Sequence, residues 1–468
     1  MVQIASKADI STISGTTNVT PVHGEKAERS SWRLLRNPRF RLYFLGSLVS
    51  NLGTWLQKTA QVLLAYQLTH SVFAVGLVVS AQFCGIPLLS PWAAVLASRI
   101  GSRKTLVATQ CVSAAVACAM GWRYHNHMLG EHSLLAGALA LGFAFSLALP
   151  VQTALVSRLV EPGDVEAAMA MNSVSYNSGR ALAPALSILV IAFVGPDLIF
   201  AINGISFVIF AIVLSLLSTS AVKHQPSPST HVADGLRIAL HRRRILLLLA
   251  IVAAVTLADD PVLVLSPSLT HTTLHVSSGW AGYFIAALGG GAVLGSLFPI
   301  TGRRSVGPSQ TSRRAAWSLL ALSLSVVVFT AGVSTWVTFF AAFTAGTAAL
   351  LTGAAAQRVI VGRRKAAMSV AGLWAIAWAG TKPMASLLDG WLASHVGILL
   401  TGIVLASPAA VLALCELWLP RTEKRRIKNW SLSNHLETTS PSPWGSILYM
   451  IHFLLRLLDL DHLPGEEV

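Results

Sequence analysis

The sequence predicts an all-α integral membrane protein of twelve transmembrane helices in two pseudo-symmetric six-helix bundles. Three observations predict it. Of 468 residues, 54% are apolar and only 11% charged, against about 25% charged in a soluble domain. A globule of this size has no interior large enough for that apolar excess. From Leu42 to Leu419 the chain repeats apolar stretches of the ~20 residues that cross a hydrocarbon core, and none shows the two-residue alternation of a membrane barrel. Finally, the net charge of +15 is distributed by position. All but four of the 34 lysines and arginines lie on alternate joints or tails, which share one side of the membrane if the spans number twelve. The exceptions are Lys58, Arg123, Arg180 and Lys382. The positive-inside bias then places both termini in the cytoplasm. The basic balance therefore reports orientation, and no nucleic-acid partner is expected.

The spans are read at 42–67, 71–97, 105–124, 134–157, 169–194 and 198–219, then at 245–268, 279–300, 315–333, 336–356, 366–393 and 397–419. Residues 1–41 form a cytoplasmic tail and 42–219 a first bundle. A central cytoplasmic loop follows at 220–244, then a second bundle at 245–419. The tail 420–468 includes a short apolar run, 447–458, read as an interfacial helix or a loose apolar patch. No cleavable signal peptide is expected, because the first apolar run begins near Leu42. The bundles echo each other. Ala94-Val95-Leu96-Ala97-Ser98 ends the second span, and Ala292-Val293-Leu294-Gly295-Ser296 occupies the second span of the second bundle. Duplicated bundles place a substrate site near the midplane between them.

Ionisable groups inside spans cost several kcal/mol and are functional candidates for that reason. Lys58, Arg180, Asp259, Asp260 and Lys382 fall about 17–24 Å from the cytoplasmic ends of their spans at 1.5 Å per residue. Asp389 is nearer the outer mouth. Two adjacent carboxyls in a low dielectric disfavour double ionisation, so Asp259 and Asp260 are proton-coupling candidates. The structural alternative is ion pairing between helices, such as Lys382 with an aspartate, or Asp260 capping a half-helix before Pro261. Lys58, Arg180 and Lys382, with Trp55, Gln57, Trp374 and Trp378, are substrate-cavity candidates. Arg123 lies at an outer end, where it snorkels.

Other signals carry less. Cys84, Cys111, Cys118 and Cys415 sit in apolar spans and read as packing residues, with neither disulfide nor metal spacing. His125, His127, His132, His271 and His275 lie in outer joints and read as solvent-facing. Gly289-Gly290-Gly291 falls inside a span and lets helices approach closely. No GxxxxGK[ST], HExxH, GxSxG or CxxC occurs, so no enzyme, cofactor or metal site is expected.

Particular stretches resemble a known family. Asn37-Pro38-Arg39-Phe40-Arg41-Leu42-Tyr43-Phe44 and Asn51-Leu52-Gly53-Thr54-Trp55-Leu56-Gln57-Lys58 are similar to the first span of major facilitator superfamily transporters of the enterobactin-exporter and macrolide-efflux type. Leu68-Thr69-His70-Ser71 resembles that group's first outer turn. Pro150-Val151-Gln152 and Ala170-Met171-Asn172-Ser173 resemble its passage from span 4 to span 5. The resemblance covers about 36–419 and implies the major facilitator fold and drug:proton antiport by alternating access. It also implies efflux of an amphipathic small molecule, multidrug resistance, and a multi-pass chain in a bacterial inner membrane. A monomer is expected, with protons, the bilayer and the small molecule as its partners. The superfamily's gating loop maps onto Arg99, Gly101, Arg103 and Lys104, but Ser98 replaces its acidic residue. The antiporter Gly-Pro element is degenerate here, with Gly179 preceding Ala183-Pro184. Import or uniport by the same fold remains open, as does a membrane scaffold or membrane-embedded enzyme. Three basic cavity candidates favour an anionic cargo.

Overall fold

The computed structural model describes residues 32–217, 243–297, 308–361 and 367–418. Most of both tails and of the central loop, including the 447–458 run, lies outside the described residues. Among the described residues there are twelve long helices. They are α1 Pro38–Thr69, α2 Val72–Ile100, α3 Ser102–His125, α4 Glu131–Arg158, α5 Val165–Phe193 and α6 Pro196–Leu216. Then come α7 Arg243–Thr272, α8 Gly279–Leu297, α9 Pro308–Ala331, α10 Thr335–Val361, α11 Ala367–Val396 and α12 Ile398–Trp418. Short 3₁₀ turns at Trp32–Arg36 and Pro162–Asp164 precede α1 and α5.

Among the described residues, nine helices are long and apolar enough to cross a membrane by themselves, and Gly279–Gly295 of α8 is apolar but shorter. The other two, α1 and α11, are long enough but carry polar side chains at mid-span, Gln57, Lys58 and Gln61 in one and Lys382 and Asp389 in the other. Those polar residues are what the site is made from. Large apolar side chains such as Phe193, 83% exposed, face outward, where lipid satisfies them.

Helix ends follow local chemistry. The Asn37 side chain accepts from the Arg39 and Phe40 amides, and Pro38 starts α1 with its fixed φ. His70 closes α1 in the left-handed region at φ 50°, and the Ser71 hydroxyl then caps α2 by accepting from the Ala74 amide. Gly101 separates α2 from α3 at φ 93°, a conformation that glycine adopts without strain.

The two bundles repeat their packing. In the first, α2 packs on α4, α3 on α6, and α1 on α5 and α6. In the second, α8 packs on α10, α9 on α12, and α7 on α11 and α12. Adding six to each helix number converts one set into the other. Gly142 of α4 meets the Ala81 carbonyl of α2, and Gly346 of α10 meets the Leu288 carbonyl of α8, with no room for a Cβ at either crossing.

The bundles touch through α2 with α11 and α5 with α8, the same contact under that operation. The named contacts lie toward the α1–α2 and α7–α8 joints, away from the chain ends. Gly76 packs on the Ser386 carbonyl, Gly390 on Val72 and Phe73, and Gly282 on Ile188. Tyr66 lies 5.5 Å from His271, ring to ring. One buried cluster crosses this contact, joining Leu56, Val79 and Phe83 to Leu263, Val264, Leu265 and Ile285. Two others stay within a single bundle. Gly289, in the predicted close-approach triplet, packs on Ala181 of α5, and Gly291 meets the Phe343 carbonyl of α10.

Two sequence expectations are corrected. Cys111 and Cys118 are exposed rather than interior, although the Cys118 thiol still packs on Gly204 of α6. And α7 runs unbroken through Pro261, so Asp260 caps no half-helix.

Candidate functional site

Prolines sit beside the charged residues. Pro261 follows Asp260, Pro383 follows Lys382, and Pro184 lies four residues after Arg180. Each removes a backbone donor inside its helix and leaves the carbonyl four residues earlier without its usual partner. These are therefore the places where α5, α7 and α11 yield most easily.

Four of the ionisable candidates meet here. Arg180 of α5 donates from Nη2 to Asp259 Oδ2 of α7 at 3.0 Å. Lys382 of α11 pairs with Asp260 Oδ1 and approaches Asp259 Oδ1 at 3.8 Å. Ser386, one turn beyond Lys382, donates to Asp260 Oδ2 at 2.5 Å. Both aspartates and Lys382 are buried. Buried ions persist only when paired, and each of these aspartates has a cation. The Arg180–Asp259 pair joins the first bundle to the second. The interhelical pairing of Lys382 with an aspartate, read from the sequence as the structural alternative, is the observed geometry.

Lys58 lies apart from this cluster. Its ammonium sits over three rings, 3.9 Å from the centroid of Phe83, 4.7 Å from Phe145 and 5.3 Å from Trp55. No carboxylate pairs with it among the described residues. Desolvated cation–π contacts reach ~2 kcal/mol each, enough to hold a cation without cancelling its charge. Lys58 also borders a cavity inside the first bundle, lined by Asn51, Gln57, Gln61, Gln82, Gln110, Gln152 and Asn203 with several serines. Within it, Asn203 Nδ2 donates to Gln57 Oε1 at 2.7 Å and Gln82 Nε2 to Gln61 Oε1 at 3.0 Å.

Of the remaining cavity candidates, Gln57 lines the cavity and Trp55 stands beside Lys58, edge-on to Tyr176 at 5.7 Å. Trp378 of α11 reaches across the bundles to Phe83 at 6.3 Å, edge-on. The Trp374 side chain lies outside the described residues. Gly179 packs on Asn51 and Trp55, Ala183 is buried, and the Pro184 carbonyl faces Gly282. Arg99, Gly101, Arg103 and Lys104 occupy the α2–α3 joint, where Arg103 donates to the Ser215 carbonyl at the end of α6. Ser98, which replaces the acidic residue, donates to its own helix at Val95.

The motif residues Gln152 and Asn172 have a structural role. Tyr43 donates to Asn172 at 3.0 Å, Gln152 to Ser47 at 3.2 Å, and Asn51 to Ser175 at 2.9 Å. These bonds tie α1 to α4 and α5, and Ser47, Asn51 and Gln152 are also part of the cavity wall.

Asp389 was not among the sequence's site candidates, yet it is fully buried beside Asp260. The signal was present in the spacing. Lys382, Ser386 and Asp389 stand at i, i+4 and i+7, one stripe of α11. The amides of the cavity were equally visible as uncharged polar residues recurring inside apolar spans.

A family model described as a transmembrane secretion effector matches residues 29–455. An uncharacterized MFS-type transporter, YfiS of Bacillus subtilis (strain 168), is 26% identical over 314 residues, which cover 64% of this chain and 72% of that protein. The enterobactin exporter EntS of Shigella flexneri is 28% identical over 273 residues, covering 56% of this chain and 63% of that protein. Among solved structures, the nucleoside transporter NupG superposes with a TM-score of 0.66 at 13% identity, over 81% of this chain and 98% of that one. The peptide transporter POT in complex with sulfate gives 0.64 at 14% identity, over 85% and 99%. At such identities these likenesses carry the fold alone.

Proposed function

We propose, from the premise that this chain belongs to the transmembrane secretion effector family of the major facilitator superfamily and is a secondary transporter, not an enzyme, that it exports an amphipathic small organic molecule by proton antiport. The observation that carries this reading is the Arg180–Asp259 ion pair between the bundles, backed by Lys382 on both aspartates. A transporter that rocks its halves must break whatever joins them. An ion pair at that contact makes the break depend on the protonation of a carboxyl, and so couples protons to access. Asp259 and Asp260 are the coupling groups in this reading, and Arg180 and Lys382 are their partners.

The positive-inside bias puts both termini in the cytoplasm of a bacterial inner membrane. The described contacts between the bundles then lie toward the outside. Two of the three intramembrane cations are occupied by aspartates. Lys58 is the one left facing polar space, so the cargo carries an anionic or oxygen-rich part that docks beside it. A siderophore-like molecule fits this description, and similarity to an enterobactin exporter supports it.

Inside-out vesicles test the direction. With an acid interior and enterobactin as the probe cargo, uptake into the vesicles is expected to follow the gradient and collapse with a protonophore. Uptake that rises when the gradient is reversed would instead make the chain an importer.

A further inference from the structure

Asp389 is the one buried carboxyl of the cluster without a basic partner in contact. It is fully buried, and neither of its oxygens has a hydrogen-bond donor among the described residues. Its neighbour is another carboxyl, Asp260, which already accepts from Ser386 and faces Lys382. Two ionised carboxylates in contact repel and have no hydrogen to share. With one proton between them, the same contact becomes a hydrogen bond.

The charge count agrees. Asp259, Asp260 and Asp389 bring three negative charges, and Lys382 and Arg180 bring two positive ones. The charges acting directly on Asp389 are those of Asp260 and Asp259 from α7 and Lys382 from its own helix. The α2 crossing beside it, at Val72, Phe73 and Gly76, is uncharged. The only Asp, Glu, Lys or Arg residues of α12 and α10 are Glu416 and Arg358, both near the opposite helix ends. One proton therefore balances the three carboxyls against the two cations paired with them, Lys58 acting at longer range on Lys382, whereas full ionisation leaves a buried carboxylate with no cation in contact.

We propose that Asp260 and Asp389 form a proton-binding site that holds one shared proton, while Asp259, gripped by Arg180 and Lys382, stays ionised and joins the bundles. As the carrier in antiport this site rests on the reading above, and it divides the labour of the adjacent pair. Asp260 exchanges the proton with Asp389, and Asp259 senses the result through Lys382. When the shared proton leaves, Lys382 is drawn toward Asp260 and Asp389 and loosens its hold on Asp259, which then depends on Arg180 alone. Proton occupancy thereby changes the contact between the bundles.

Infrared spectroscopy of the full chain in lipid vesicles, with no cargo, tests this directly. At pH 7 the wild type is expected to show a protonated-carboxyl C=O band that shifts in D2O. Asp389→Asn loses it, since two carboxylates then face two cations, whereas Asp197→Asn, at an exposed joint, keeps it. Lys382→Gln increases it about twofold. A wild type without the band, or an Asp389→Asn chain that retains it in full, overturns the proposal, and the first of these needs no variant to fold. Because no cargo is present, the result is separate from antiport. A chain with the band but no proton-driven efflux would remove the antiport reading and leave the site standing.

Discussion

Arg180 and Asp259 stand on opposite bundles and meet at 3.0 Å. Asp259 also lies 3.8 Å from Lys382, so its charge is shared between a cation of the other bundle and one of its own. The connection is therefore replaceable by design of the site. Losing Arg180 leaves Asp259 paired with Lys382, and losing Lys382 leaves Asp259 with Arg180 but strips Asp260 of its cation.

That asymmetry sets the first prediction. Arg180→Gln is expected to cost ~1 kcal/mol in thermal unfolding, because the arginine is partly exposed and Asp259 keeps Lys382. Lys382→Met is expected to cost ~3–5 kcal/mol, the usual result of stranding a buried charge. Adding Asp260→Asn to Lys382→Met recovers part of that loss, so the two changes are strongly non-additive. Melting curves of wild type, Arg180→Gln, Lys382→Met, Asp260→Asn and the double variant in one detergent check this.

Lys58→Met removes the cation and keeps an apolar side chain that suits its three rings. Unfolding temperature is expected to move little. Transport of an acidic probe cargo falls about tenfold or more, as the loss of ~1.4 kcal/mol of binding would produce, while transport of a neutral dye is unchanged. Parallel efflux assays of the two probes in one membrane preparation supply the comparison.

A side chain at Gly76 has nowhere to go against the Ser386 carbonyl. Gly76→Val is expected to hold α2 away from α11 and bias the chain toward the state open at that end. Ile285→Cys, buried at the bundle contact, then reacts with a water-soluble maleimide several times faster in the Gly76→Val background. Equal rates in both backgrounds would show that the α2–α11 crossing does not hold that end shut.

Gly101→Ala places a Cβ on a residue at φ 93°. The strain is ~1–2 kcal/mol and falls on the α2–α3 joint, beside Arg103. Loss of transport at nearly unchanged expression is expected, measured as efflux per unit of membrane-inserted protein.

Much of this architecture was legible in the chain. Apolar length and alternate-joint charge fix the number of helices, because both are one-dimensional properties that the bilayer reads residue by residue. Depth along a helix was also readable, so Arg180, Asp259, Asp260 and Lys382 could be set at one level. Azimuth was not. Which side of α5 faces α7 depends on how the bundles pack, and the sequence alone left Lys382 equally a cargo contact or an ion-pair partner. Asp389 is hard to read from the sequence for a related reason. Counted along the chain it lies two turns from Lys382, but on the helix surface it falls on the same stripe. Lys58 differed in the opposite way. It was grouped with the other intramembrane cations by depth, and the structure separates it from them by its three aromatic neighbours.

The central claim is that the aspartates between the bundles couple protons to cargo. Proton release from vesicles loaded with a pH-sensitive dye, set against enterobactin movement in the same vesicles, measures that coupling. The account predicts that Asp259→Asn with Asp260→Asn abolishes gradient-driven transport and leaves cargo exchange in the absence of a gradient. A double variant that still drives cargo with a proton gradient at the wild-type rate would contradict it.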